Sequence, residues 1–116
     1  MRKFLVLILS LSFSIFQSCK NEIRTFTANE KAIRVERGIL FSIALPEEHE
    51  KGQTWSVVST HNTTSFSYLK SNYRGKTAGI TDFIFESKKS GIDTLQFNLT
   101  AYGEVIQHHK VVVNVH

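Results

Sequence analysis

Hydrophobic residues recur at every second position through much of this chain, and that period limits what it can fold into. Leu95, Phe97 and Leu99 alternate with Gln96, Asn98 and Thr100. Val111, Val113 and Val115 repeat the pattern near the C-terminus, and Ile39, Phe41, Ile43 and Leu45 do so earlier. A period of two places one set of side chains on each face of an extended strand. β-Branched and aromatic residues fill the apolar positions, as half-buried strands require. No stretch beyond the N-terminal segment carries the spacing of an amphipathic helix.

Read in order, the strands fall at Ile33–Val35 and Ile39–Leu45, around a turn at Glu36-Arg37-Gly38, then at Trp55–Ser59. A short edge strand is predicted at Ser65–Leu69, then a long loop from Lys70 to Gly79. Ile80–Glu86, Asp93–Thr100 and Gln107–Val115 complete the set, with a polar turn at Ser87–Gly91. About seven short strands at near-regular spacing predict an all-β fold, an immunoglobulin-like β-sandwich. Its core is expected to rest on Phe41, Trp55, Phe83, Phe85 and Phe97, since each buried aromatic covers on the order of 150–250 Å².

The first residues belong to a different grammar. Met1-Arg2-Lys3 is a basic head, Phe4 to Phe16 is apolar apart from serines, and Gln17-Ser18-Cys19 follows. That is the layout of a secretory signal peptide. The apolar run is too short to span the roughly 30 Å hydrocarbon core of a bilayer. Cys19 is the only cysteine, so no internal disulfide can form. Its position after a small residue resembles a bacterial lipoprotein signal, in which the cysteine is acylated and becomes the mature N-terminus. Phe16 stands where leucine is usual. The expected organisation is a lipoprotein-type signal at 1–18, a tether at 19–31 that is partly extended at Ile23–Phe26, and one domain at 32–116. The expected location is the cell envelope, anchored to a membrane through lipid on Cys19. Loss of Arg2 and Lys3 with the signal lowers the net charge from +4 to +2. With no basic cluster interleaved with aromatics, nucleic acid is not an expected partner.

Catalytic and metal-binding patterns are poorly represented. The histidines are His49, His61, His108, His109 and His116. His108 and His109 are adjacent on a predicted strand and point to opposite faces. No spacing suits a zinc site, so exposed or half-exposed histidines are expected rather than a ligand set. Glu47, Glu48 and Glu50 beside Lys51 read as a solvated loop rather than a calcium site, which commonly needs about 6–8 oxygen ligands. Gly75-Lys76-Thr77 lacks the upstream glycine and the following helix of a phosphate loop. Neither catalytic residues nor a metal or other cofactor are expected, so the chain reads as a binding module and not an enzyme.

The segment from Leu45 to Trp55 holds the only proline, the only tryptophan and the densest acidic run. With the strand order around it, this segment resembles the chagasin family of cysteine protease inhibitors. That resemblance implies a sandwich with three loops at one end that plug the cleft of papain-type proteases. The family's first loop reads Asn-Pro-Thr-Thr-Gly, then an aromatic, one residue and Trp. Here the loop is Glu48-His49-Glu50-Lys51-Gly52, and the spacing from Leu45 to Gly52 to Trp55 is kept. The second loop would be Arg74-Gly75-Lys76-Thr77-Ala78-Gly79, in which Gly79 matches the family's last glycine. The third would be Ala101-Tyr102-Gly103-Glu104, with Tyr102 in place of the family's Arg-Pro-Trp. The resemblance implies a cysteine protease as partner, and a monomer is expected. The departures in the loops keep a second reading open: an immunoglobulin-like envelope lipoprotein module that binds another protein or a glycan and is not inhibitory.

Overall fold

The computed structural model describes residues 23–58, 65–76 and 78–116. Residues 1–18, expected to be a signal peptide, and Cys19, His61 and Thr77 lie outside these residues. Among the described residues there are eight strands: β1 (Arg24–Thr27), β2 (Ala32–Val35), β3 (Leu40–Glu48), β4 (Gln53–Val57), β5 (Phe66–Gly75), β6 (Ala78–Ser87), β7 (Gly91–Ala101) and β8 (Glu104–Val115). They make two four-stranded sheets, ordered β1-β3-β6-β5 and β2-β8-β7-β4. β1 lies parallel to β3 and β2 lies parallel to β8, while the other neighbours are antiparallel. The all-β sandwich expected from the period is the fold observed.

The core lies between the sheets. Phe41, Phe83, Phe85, Phe97 and Trp55 are all buried, as expected, with Leu95, Leu99, Val111, Val113 and Val115 beside them. Phe41 stacks on Phe85 at 5.4 Å, and Phe66 meets Phe85 edge-on at 5.9 Å. Burying each such side chain stabilises the fold by roughly 1.5–3 kcal/mol, and edge-to-face pairs add to that.

Three expectations change. The stretch expected to be a tether contributes β1, whose Phe26 is buried in the core, and a turn that leads into β2. The pairing Arg24↔Phe41 to Thr27↔Ala44 makes this segment part of the sandwich. The predicted long loop from Lys70 to Gly79 is instead a hairpin, because β5 continues to Gly75 and β6 begins at Ala78. Finally, β3 runs on through Glu48, so Glu47 and Glu48 belong to a strand and not to a loop.

Bare edges are blunted. β1 ends its pairing at Ala44, which leaves Leu45–Glu48 with β6 on one side only. There Pro46 has no N–H to offer, its carbonyl accepts the Trp55 Nε1–H at 2.7 Å, and the Glu48 N–H donates to Gln53 Oε1 at 3.1 Å. β5 carries a bulge between Tyr68 and Lys70, and the β7–β8 pairing shifts between Leu99 and Thr100. Proline and bulges at sheet edges oppose strand-to-strand association.

Candidate functional site: one end of the sandwich

β3 belongs to one sheet and β4 to the other, so the connection between them crosses the gap at one end. It is a single 3₁₀ turn, His49–Lys51, closed by Gly52 at φ 68°. The Gly52 N–H returns to the His49 carbonyl at 3.0 Å. Registers Glu48↔Ala78 and Gln53↔Ala101 bring the β5–β6 and β7–β8 turns to the same end. The crossing turn is thus flanked on both sides.

Its contacts follow from that position. The His49 ring stacks on the Tyr73 ring at 3.8 Å, with 16° between the planes. The Tyr73 hydroxyl donates to the Lys76 carbonyl at 2.9 Å, within the second turn. On the other side the Tyr102 ring lies on Gly52, where an added Cβ would meet Tyr102 Cε1 at 2.9 Å. Three connections that are distant in sequence are therefore tied together at one end of the sandwich.

Beneath the turn lies a buried carboxylate. Glu47 is 3 % exposed. Its Oε1 accepts the Trp55 backbone N–H at 2.6 Å, and its Oε2 shares a 2.5 Å hydrogen bond with His49 Nε2. The expected solvated run of glutamates is thereby corrected, since Glu47 points inward and bonds both the scaffold and the tip. Glu48 pairs with Lys51 at 2.9 Å across the turn, and this hydrogen bond, followed by the Glu48 charge, raises the Lys51 pKa. Glu50 is exposed.

The other expected contact residues are placed differently. Arg74, Gly75, Ala78 and Gly79 are strand residues. The Arg74 guanidinium grips Asp82 at 2.6 and 3.2 Å, and that hydrogen bond raises its pKa. Gly79 is required by close approach: a Cβ there would lie 2.3 Å from the Arg74 carbonyl oxygen and 2.8 Å from the Tyr73 hydroxyl. Lys76 is exposed at the turn. Ala101 and Glu104 pair with each other, so the third connection consists only of Tyr102 and Gly103. Both have positive φ, 51° and 84°, the signature of a type I′ hairpin turn. The turn holds Tyr102 at 82 % exposure.

Sequence reasoning missed Glu47, Gln53 and Tyr73. For Glu47 a signal existed: it keeps the inward parity of Phe41, Ile43 and Leu45. His109 is half-buried between Trp55 and Phe97, and burial, followed by the Lys31 charge, lowers its pKa. His108 faces away and bonds Asn98 Oδ1 at 2.6 Å. A cleft of about 610 Å³ opens beside the tip, lined by Leu45, Trp55, Leu99 and His109 among others; no serine, threonine or cysteine is among its lining residues. Among the described residues, no group of three His, Cys, Asp or Glu side chains could hold a metal ion.

No protein-family model matches the chain, and no curated protein matches it. Solved structures do share the fold. The cysteine protease inhibitor EhICP2 from Entamoeba histolytica aligns with TM-score 0.67 and 16 % identity, over 81 % of this chain and 95 % of that one. Amebosin aligns with TM-score 0.61 and 15 % identity, over 83 % and 100 % of the two chains. PbICP-C, solved in complex with falcipain-2, aligns with TM-score 0.58 and 11 % identity, over 84 % and 92 %. At these identities the likeness is one of fold, and it is a fold on which cysteine protease inhibitors are built.

Proposed function

We propose that this protein inhibits papain-type cysteine proteases by inserting the His49, Lys76 and Tyr102 end of the sandwich into the active-site cleft. The observation that carries the reading is the tying of three turns together at one end, through His49 on Tyr73 and Tyr102 on Gly52. Short, cross-braced turns lose little freedom on binding, which lowers the ordering cost of association. Tyr102 supplies an exposed aromatic anchor of the kind that dominates binding energy. The polar side chains of the tip meet one another before they meet a target: Glu48 forms an ion pair with Lys51, and Glu47 shares a hydrogen bond with His49. Internal pairing reduces the penalty of moving charge out of water. The resemblance to chagasin-family inhibitors and the fold shared with solved cysteine protease inhibitors support the same reading.

Inhibition is by occlusion. The peptide backbone of a 3₁₀ turn and a two-residue hairpin turn cannot extend into a strand-like substrate without breaking the braces above. Acylation of Cys19 forms part of the proposal. It would leave only Lys20 to Ile23 before β1 begins. Arg24 pairs with Phe41, at the end of β3 opposite Glu48, so a lipid anchor there would direct the inhibitory end away from the membrane. Titration of the purified protein against a panel of papain-type proteases tests the function: inhibition below micromolar concentration is expected, and none across the panel refutes it.

The two-residue third turn favours one other reading. It is too short to present the family's Arg-Pro-Trp, which suits an envelope lipoprotein module that binds a different protein or a glycan. Recovery of such a partner without protease inhibition would select that reading.

A further inference from the structure

Glu47 stands where the scaffold meets the tip. β3 carries it inward in step with Phe41, Ile43 and Leu45, and it is the last of that series before the turn. A carboxylate at this depth is costly unless hydrogen bonds compensate it. Its two oxygens have two distinct partners. Oε1 holds the Trp55 N–H of β4, in the opposite sheet, and Oε2 holds His49 of the turn. From His49 the connection continues by ring stacking to Tyr73 and by the Tyr73 hydroxyl to the Lys76 carbonyl. Gly79 leaves the room that the Tyr73 ring occupies. A single line of contacts thus runs from the rigid sandwich through Glu47 to two of the three turns.

We infer that Glu47 is the positioning residue of the inhibitory tip, fixing His49 and, through Tyr73, the angle between the first and second turns. This rests on the protease-inhibitor reading above, and Glu47 itself touches no target. Its neighbour provides an internal contrast. Glu48 is the same residue type one step along, yet it is half-exposed and its side chain bonds only Lys51 within the same turn.

The experiment compares Glu47→Gln, Glu48→Gln and His49→Ala with the wild-type protein, using two readouts. One is the inhibition constant for a papain-type protease. The other is amide hydrogen exchange at residues 49–52 and 73–76. Glu47→Gln keeps the volume but loses the charge that both bonds use. It is expected to raise the inhibition constant about tenfold or more, with faster exchange in both turns and unchanged exchange at Phe97 and Val113. His49→Ala cuts the same line from its exposed side, so faster exchange at 73–76 is expected there even if Glu47→Gln folds poorly. Glu48→Gln is expected to leave exchange at 73–76 as in wild type. Wild-type exchange at 49–52 and 73–76 in both Glu47→Gln and His49→Ala would overturn the inference. So would equal disturbance by Glu48→Gln. Failure of the wild-type protein to inhibit any protease would instead remove the functional reading, while exchange still decides whether Glu47 orders the tip.

Discussion

Replacing Trp55 separates two contributions that the structure assigns to one side chain. The indole is 6 % exposed and fills the upper core beside His109. Its Nε1–H also reaches across to the Pro46 carbonyl of the other sheet at 2.7 Å. Trp55→Ala removes both and leaves a cavity, which costs about 3–5 kcal/mol. Trp55→Phe keeps most of the ring contact and removes the inter-sheet hydrogen bond, at a cost of about 1–2 kcal/mol. Single domains are stable by only about 5–15 kcal/mol, so the alanine variant loses a large share of the total. At about 4–8 °C per kcal/mol for a domain of this size, its melting temperature should fall by roughly 12–40 °C. Because Trp55 is the only tryptophan, unfolding is best followed by far-UV circular dichroism in urea. The midpoint should move without a change of slope. An alanine variant within about 1 kcal/mol of wild type, or a phenylalanine variant as damaged as the alanine one, would show that the indole does not make these two contributions.

Gly79→Ala should cost about 3 kcal/mol and disorder Tyr73, because the new methyl group meets backbone at 2.3 Å; urea denaturation and the Tyr73 ring resonances report both. His109 titrates below its ordinary range when folded, chiefly because burial disfavours the charged ring. The unfolded chain therefore binds its proton first as pH falls, and stability is lost from about pH 6.5 downward until the folded-state pKa is passed. Melting temperature should accordingly drop more steeply between about pH 7 and 5 in wild type than in His109→Gln. Exchanging the tip pair, Glu48→Lys with Lys51→Glu, preserves an exposed ion pair and should change stability by less than about 0.5 kcal/mol. It reverses the charges presented to a target, so the association rate with a protease should change, as measured by progress curves at low and high salt.

The strands with clean alternation were legible because each buries one face and exposes the other. The β7 residues Leu95, Phe97 and Leu99 and the β8 residues Val111, Val113 and Val115 are the clearest cases. β1 was legible only as an extended stretch within the tether and not as part of the sandwich, since a four-residue strand with Phe26 as its single buried side chain has no period to detect. The second half of β5, Lys70 to Gly75, is a largely exposed edge. Its hydrogen bonds to β6 form without any hydrophobic pattern, and the bulge at Leu69 breaks the parity on which sequence reading depends. At the tip, the positions of Gly52 and Trp55 matched those that the family resemblance implies, and the inward aim of Glu47 could have been read from β3 parity. The stack of His49 on Tyr73 could not, because it joins residues brought together only when the two hairpins align.

Whether the three-turn end occupies a protease cleft is decided by a competition experiment. The protein is added to a papain-type protease that it inhibits, either with the cleft open or with the cleft filled by a covalent peptide-like blocker. Binding is followed by a method that does not need activity, such as surface plasmon resonance. Tight binding to the open enzyme and none to the blocked one is expected. Equal binding to both would place the contact outside the cleft and contradict the proposed mode of inhibition.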